Sequence, residues 1–379
     1  MVAALAGLTG FPAEACGRII VKIGSALLVE SDGSVRRDWL KTLVAEVAGR
    51  HRAGQKIILV SSGSVALGAR RLGLAKGGRA SLEDAQAAAA VGQIALSGIW
   101  AELLEAEGIA AAQILVTLDD LEHRRRYLNA AATLERLLGL GVVPVVNEND
   151  SVATEEIRFG DNDRLAARIG HAARADAVVL LSDIDGLYTA NPHADPEAEL
   201  VPLVERIDAR IDAMADGDSA SGMGSGGMLS KIEAARIATR AGLHLAIISG
   251  RFDAPMARWA ETGRGTLFRA NGRKGARENW LAGRLTARGT LIVDAGAAEA
   301  LARGRSLLPA GVRETEGDYR RGDVVNIAGP DGSVIARGLA EFDAIDAARI
   351  IGRRSEDIAA ILGSVQRSTL VHRDHMVLL

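Results

Sequence analysis

Of the 45 basic residues in the chain, only six are lysine: Lys22, Lys41, Lys56, Lys76, Lys231 and Lys274. Two of them stand in unusual surroundings. Lys22 interrupts the apolar run RIIVKIG, and Lys231 closes the glycine-rich stretch SGMGSGGMLSK. Lysine is a compact point charge where arginine is a broad planar fork, and an ammonium is costly to bury without a partner. Each is read as facing an anion, against the blander readings of an edge-strand lysine and a linker. Gly24 and Ser25, just beyond Ile23, offer backbone N–H groups with little steric obstruction. SGMGSGGMLSK is not a Walker A loop, because Ser230 precedes the lysine and Ile232 follows it. Its glycines still allow backbone N–H groups to approach phosphate oxygens. Ser230 and Glu233 fit a capping box, so a helix is expected to start here, and a helix N-terminus is an anion site.

The second group of reactive residues is acidic. NENDS (147–151) is followed by GDND (160–163). Carboxylates there have three available jobs: metal ligand, partner for an ammonium, or helix cap. Asp161, Asn162 and Asp163 precede a helical pattern, so at least one is expected to cap it. Asp150 and Asn162 would supply acceptors for the ammonium of an α-amino acid. The run HRRR (123–126) reads as a solvated helix face. His372 and His375 are too few to argue for a metal, and no metal-ligating residue is assigned. No Ser/His/Asp or Cys/His set is discernible. Glycine, lysine and aspartate without a nucleophile fit phosphoryl transfer, where positioning and charge stabilisation dominate.

These residues need a scaffold that gathers distant turns. Apolar runs at 18–24, 56–60, 114–116, 142–146, 177–181 and 244–248 read as strands. Helical patterns separate them at 38–52, 81–107, 123–140, 163–174 and 231–241. Continuous apolar strands alternating with helices predict a mostly parallel sheet covered on both faces, a three-layer αβα sandwich. Ligands in such sheets sit at the carboxyl ends of the strands. The turns found there are GSA (24–26), SSGS (61–64), NENDS (147–151) and SDIDG (182–186), a small, polar and acidic row.

The texture changes near residue 272. NGRKGAREN is polar and glycine-containing, and short β-type runs follow (TLIVD, DVVNI, SVIARG). The expected organisation is an N-terminal extension at 1–17, an α/β domain at 18–271, a linker at 272–282 and a small β-rich domain at 283–379. Two domains suit a chain of 379 residues. The net charge of −3 gives no global attraction to nucleic acid or anionic membrane. A single cysteine, Cys16, excludes an intrachain disulfide and suits a reducing, cytoplasmic compartment. The N-terminus lacks the basic start of a signal peptide. Uninterrupted apolar runs fall short of the roughly 20 residues of a membrane span.

Six ordered motifs, VKIGS, VSSGSVALG, VVPVVNENDSV, FGDNDRLAA, LLSDIDGLYTANP and SGMGSGGMLSK, closely resemble the amino acid kinase family, in its branch that phosphorylates glutamate. The tail, with SLLPAG, YRRGDVVNI, ARGLAEF and VHRDHM, resembles the PUA domain appended in that branch. The resemblance implies ATP-dependent phosphorylation of the γ-carboxylate of L-glutamate to glutamyl 5-phosphate, the first step of proline synthesis, by direct in-line transfer. It implies catalytic roles for Lys22, Lys231 and Asp163, with Asp163 orienting the two lysines. It implies glutamate-binding roles for Ser62, Asp150 and Asn162. Lys22, Ser182, Asp183, Ser225, Gly226, Gly227, Met228, Leu229, Ser230 and Lys231 are implied in ATP binding, with Mg2+ bridging phosphate oxygens. A dimeric or tetrameric homo-oligomer, inhibition by proline and hand-off to glutamyl phosphate reductase are further implications. Ser182 stands where the family usually has threonine, which keeps the hydroxyl, and Ala26 replaces a common hydroxyl residue that the resemblance would make available for a phosphate contact. Rival readings are another member of the family, such as an acetylglutamate, aspartate or uridylate kinase, and an added RNA-binding role for the tail. From Trp280 onward the tail has 13 arginines, no lysine and 13 acidic residues, so it lacks the basic balance of an RNA-binding module.

Overall fold

The computed structural model describes residues 7–30, 34–152, 162–192, 194–215, 227–270, 287–363 and 368–379, with the side chain of Asp374 excepted. It divides into two units, Met1–Asn271 and Gly272–Leu379. The expected linker at 272–282 lies outside the described residues.

The first unit is built on eight strands: β1 (Arg18–Ile23), β2 (Lys56–Ser61), β3 (Ala111–Val116), β4 (Val143–Glu148), β5 (Ala177–Ser182), β6 (Leu203–Val204), β7 (His244–Ser249) and β8 (Thr266–Phe268). Their order across the sheet is β3-β4-β2-β1-β5-β7-β8-β6. All neighbours run parallel except β7 and β8. Buried strands of this kind must be apolar on both faces, and β1 shows how the faces divide. Ile19, Val21 and Ile23 join one core with the helices Arg37–Arg52 and Leu82–Glu105. Ile20 joins another with Arg124–Gly139, Asn162–Ala172 and Met228–Arg240. The result is the three-layer αβα sandwich expected from the strand pattern.

Sheet order explains why the four turn motifs meet. β4, β2, β1 and β5 are consecutive neighbours and run parallel, so their carboxyl ends lie on one rim. β1 is where the order reverses, with β2 on one side and β5 on the other. A crevice outside such a switch point is the expected ligand position in an open α/β sheet.

The helix Leu82–Glu105 is long and apolar enough to cross a membrane by length and composition. In this unit Leu96, Trp100 and Leu103 bury one of its faces in the core. It packs against the helix Ser64–Leu72 at unusually close range. A Cβ on Gly68 would lie 1.7 Å from the Ala88 carbonyl oxygen, and one on Gly92 would lie 1.8 Å from that of Ser64. Only glycine fits at these two contacts. The segment before β1, read as a loose extension, is partly fixed: Phe11 and Cys16 are fully buried. Phe11 packs edge-on against Trp259 with ring centroids 5.1 Å apart. Gln55 Nε2 donates to the carbonyls of Phe11 and Cys16.

The second unit has a five-stranded sheet in the order β10-β9-β11-β12-β13. Its strands are β9 (Gly289–Val293), β10 (Val312–Gly317), β11 (Val324–Ala328), β12 (Val334–Leu339) and β13 (Met376–Leu378). It has its own core, around Leu291, Val293, Tyr319, Val325 and Ile327.

Candidate functional site

Lys22, Asp163 and Lys231 come from three separate elements and meet in one buried cluster. Lys22 is the penultimate residue of β1, Asp163 the second residue of Asn162–Ala172, and Lys231 the fourth of Met228–Arg240. Lys22 Nζ lies 2.6 Å from Asp163 Oδ1, and Lys231 Nζ lies 3.3 Å from Asp163 Oδ2. All three residues are buried. Burial alone would push the Asp163 carboxyl upward; the charges of Lys22 and Lys231 and their hydrogen bonds outweigh it and hold the group below the ordinary carboxylate range. Two ammonium groups and one carboxylate leave the cluster with a net positive charge. Asp163 does not serve as the expected helix cap, and Asp161 lies outside the described residues.

Beside this cluster runs a chain of hydrogen bonds. Ser64 Oγ donates to Asp150 Oδ2 at 3.1 Å. Asn147 Nδ2 donates to Ser64 Oγ at 3.3 Å and to Gln93 Oε1 at 2.7 Å. Asn162 Nδ2 in turn donates to Asn147 Oδ1 at 3.0 Å and to Ser62 Oγ at 2.7 Å. Asn162 Oδ1 is buried without a hydrogen-bond partner among the described residues. An acceptor left in that state is costly unless a ligand satisfies it. Burial pushes the Asp150 carboxyl up to about 6, against the lowering effects of the Ser64 hydrogen bond and the Arg79 charge. Asp150 and Asn162 thus present an anionic and a neutral acceptor for a cationic group. Gln93, Glu148 and Asp150 help line a cavity of about 290 Å3 that also reaches Gln113 and Leu115.

On the other side of β1, Ser182 ends β5 and pairs in register with Ser249. Its hydroxyl donates to Asp183 Oδ1 at 3.1 Å and accepts from the Ile184 N–H at 3.5 Å. The helix Met228–Arg240 opens at Gly227 with no side-chain cap. The capping box expected between Ser230 and Glu233 is therefore not formed. Gly227, with extended φ −60° and ψ −178°, takes the cap position, which starts the helix earlier and makes Ser230 part of its first turn. Met228 is buried and Leu229 exposed. Ser225 and Gly226 lie outside the described residues.

Sequence reasoning named Lys22, Asp163, Lys231, Ser62, Asp150 and Asn162, and the structure brings all six to one end of the sheet. It missed Ser64, Asn147 and Gln93. The first two stand inside the turn motifs SSGS and NENDS and were visible there. Gln93 lies in an alanine-rich helix with nothing nearby to mark it.

Among the described residues no three His, Cys, Asp or Glu side chains converge as a metal site. His375 Nδ1 instead lies 3.4 Å from Glu341 Oε1. Arg321, in the same domain, has its largely covered side chain 3.7 Å from the same glutamate. Arg126 of the HRRR run pairs with Asp119 and Asp120 at the surface.

A family model described as "Amino acid kinase family" matches residues 17–249, and one described as "PUA domain" matches residues 289–362. Curated relatives cover the chain nearly end to end. A "Glutamate 5-kinase" of Sphingopyxis alaskensis is 66% identical over 97% of this chain and 99% of its own. One of Zymomonas mobilis is 61% identical over 97% of this chain and 93% of its own. One of Novosphingobium aromaticivorans is 60% identical over 100% of both chains.

Proposed function

The chain belongs to the amino acid kinase family, and on that premise we propose that it catalyses the reaction its full-length relatives are named for. It transfers the γ-phosphoryl group of ATP to the γ-carboxylate of L-glutamate, giving ADP and L-glutamyl 5-phosphate, the first step of proline synthesis. The observation that carries the reading is the buried Lys22–Asp163–Lys231 bridge beside two acceptors suited to an α-ammonium, Asp150 and the unpartnered Asn162 Oδ1.

Two anions must meet in this reaction. A unit charge pair at 4 Å is worth roughly 4 kcal/mol at an effective dielectric near 20. Lys22 and Lys231, held at fixed points by one carboxylate, offset that repulsion and stabilise the charge that develops on the transferring group. A γ-carboxylate oxygen of glutamate attacks the γ-phosphorus in line. The bond to the ADP oxygen breaks, and ADP leaves with that electron pair. No general base is needed, because the attacking carboxylate is already ionised at neutral pH. Asp163 is a positioning residue; Asp150, Asn162 and Ser62 hold the glutamate. Ser182, Asp183 and the segment Ser225–Lys231 hold the nucleotide, with the uncapped helix start at Gly227 facing its phosphates.

Mg2+ enters with the nucleotide as MgATP. The Asp163 carboxylate is engaged by two lysines; the ion would supply further neutralisation of the phosphate charge. The reading extends to a cytoplasmic dimer or tetramer, inhibited by proline and passing its acyl phosphate to glutamyl phosphate reductase; support for these points is the family resemblance alone. The test is ATP turnover with glutamate, N-acetylglutamate, aspartate and UMP as rival acceptors. Glutamate is expected to be preferred, and preference for any of the others overturns the proposal.

A further inference from the structure

We propose that Gln93 is a positioning residue for the substrate ammonium, acting through Asn147 to fix which end of the Asn162 amide faces the site. This rests on the glutamate reading above. A side-chain amide has a donor end and an acceptor end, and its neighbours decide which way it points.

The chain of donors here can be followed from a fixed point. Ionised Asp150 can only accept, so the Ser64 hydroxyl must donate to it. The Ser64 oxygen then accepts, which requires the nitrogen end of Asn147. That leaves Asn147 Oδ1 facing Asn162, which must answer with its own nitrogen. Asn162 Oδ1 is turned away from these partners and is buried without one among the described residues. An ammonium is the cation that completes it. The opposite orientation would aim an NH2 group at the substrate ammonium and repel it.

Of the two acceptors on Asn147 Nδ2, Ser64 is the longer at 3.3 Å and Gln93 the shorter at 2.7 Å. Gln93 is thus the closer anchor of the relay, although it reaches it from a different helix. The backbone contact at Gly92 and Gly68 places it there. With no Cβ on either glycine, the Leu82–Glu105 and Ser64–Leu72 helices meet closely enough for Gln93 and Ser64 to share one amide group. A Gln93 that merely filled space would need no acceptor oxygen 2.7 Å from Asn147.

The experiment compares Gln93→Met, which keeps length and loses the acceptor, with Gln93→Glu, which keeps an acceptor oxygen. Steady-state kinetics are measured for glutamate and ATP, along with the inhibition constant of glutarate, which is glutamate without its amino group. The expected result for Gln93→Met is a glutamate KM raised about five- to tenfold, the size of one buried hydrogen bond. Its kcat, ATP KM and glutarate inhibition constant are expected to stay near wild type. Gln93→Glu is expected to recover most of the glutamate KM. An unchanged glutamate KM in Gln93→Met overturns the proposal, as does an equal weakening of glutarate. A Gln93→Glu protein no better than Gln93→Met also overturns it, and that comparison stands if the methionine variant folds poorly. Wild-type enzyme that ignores glutamate would instead overturn the assigned reaction, a result visible before any variant is made.

Discussion

Lys22 Nζ and Asp163 Oδ1 lie 2.6 Å apart, although the two residues are distant in sequence, on the first strand and on a helix that follows the fourth strand. The second oxygen of the same carboxylate reaches Lys231 at 3.3 Å. One acidic group therefore sets the position of two cations and reduces their mutual repulsion. Burying two ammonium groups in one place would be prohibitive without it.

Replacing either lysine by alanine is expected to lower turnover about 10²-fold or more while the protein stays folded. Asp163→Asn removes the shared partner from both lysines. It is expected to cost about 3–5 kcal/mol of stability, as breaking a buried ion pair does, and to reduce kcat as well. Chemical denaturation together with kcat measurement checks both, and wild-type values in these variants would refute the charge cluster as the catalytic centre.

Acidity should separate the two substrates. Asp150 titrates at about 6, and only its ionised form attracts an ammonium. Glutamate KM is expected to rise toward tenfold per pH unit below about 6, with ATP KM much less affected. The stability consequence has the opposite sense. A carboxyl raised above its ordinary value favours the folded state most at low pH, and that contribution is lost as pH rises through about 6. Asp163 behaves conversely: its pKa is depressed, so its contribution is present above the ordinary carboxylate range and lost as pH falls through the lowered value. Asp150→Asn is accordingly expected to be more stable than wild type at neutral pH and to bind glutamate poorly. Denaturant titrations on both sides of pH 6 test the sign.

Gly92→Ala would place a Cβ 1.8 Å from the Ser64 carbonyl oxygen. The helices must separate, at a cost of about 1–3 kcal/mol or more. Because Ser64 holds Asp150, the same change is expected to raise glutamate KM. A denaturation midpoint and a glutamate saturation curve on one preparation would show whether the two effects travel together.

Phe11→Ala is expected to cost about 3–5 kcal/mol, the usual range for emptying a buried phenylalanine site, since Phe11 is fully buried against Trp259. Turnover per folded molecule should hold. A melting temperature unchanged by this substitution would mean that the segment before β1 contributes no packing.

The parts legible in the sequence are those with local causes. Parallel strands buried on both faces must be continuous apolar runs, so β1, β2, β4, β5 and β7 announced themselves. The turns after them were visible as clusters of small polar residues. What was hidden depends on neighbours distant in sequence. Ser230 and Glu233 satisfy the spacing of a capping box, but Gly227 takes the cap position and the helix begins earlier. Phe11 looked like part of a loose extension because its partners, Gln55 and Trp259, come from β2's start and a late helix. Gln93 gave no signal because its meaning depends on Asn147, on β4 and 54 positions away in sequence.

The order of strands has a consequence for ancestry. Ser62, Asn147 and Asp150, proposed to serve the acceptor, stand at the carboxyl ends of β2 and β4 on one flank of β1, while Ser182 and Asp183 stand at the end of β5 on the other. The flanks meet at the central strand and at the helix Asn162–Ala172, which packs against strands on both sides and carries Asp163. On the proposed assignment, a duplicated gene could alter the wing that holds the acceptor and inherit the wing that holds the nucleotide, so that one sheet can serve chemically unlike acceptors.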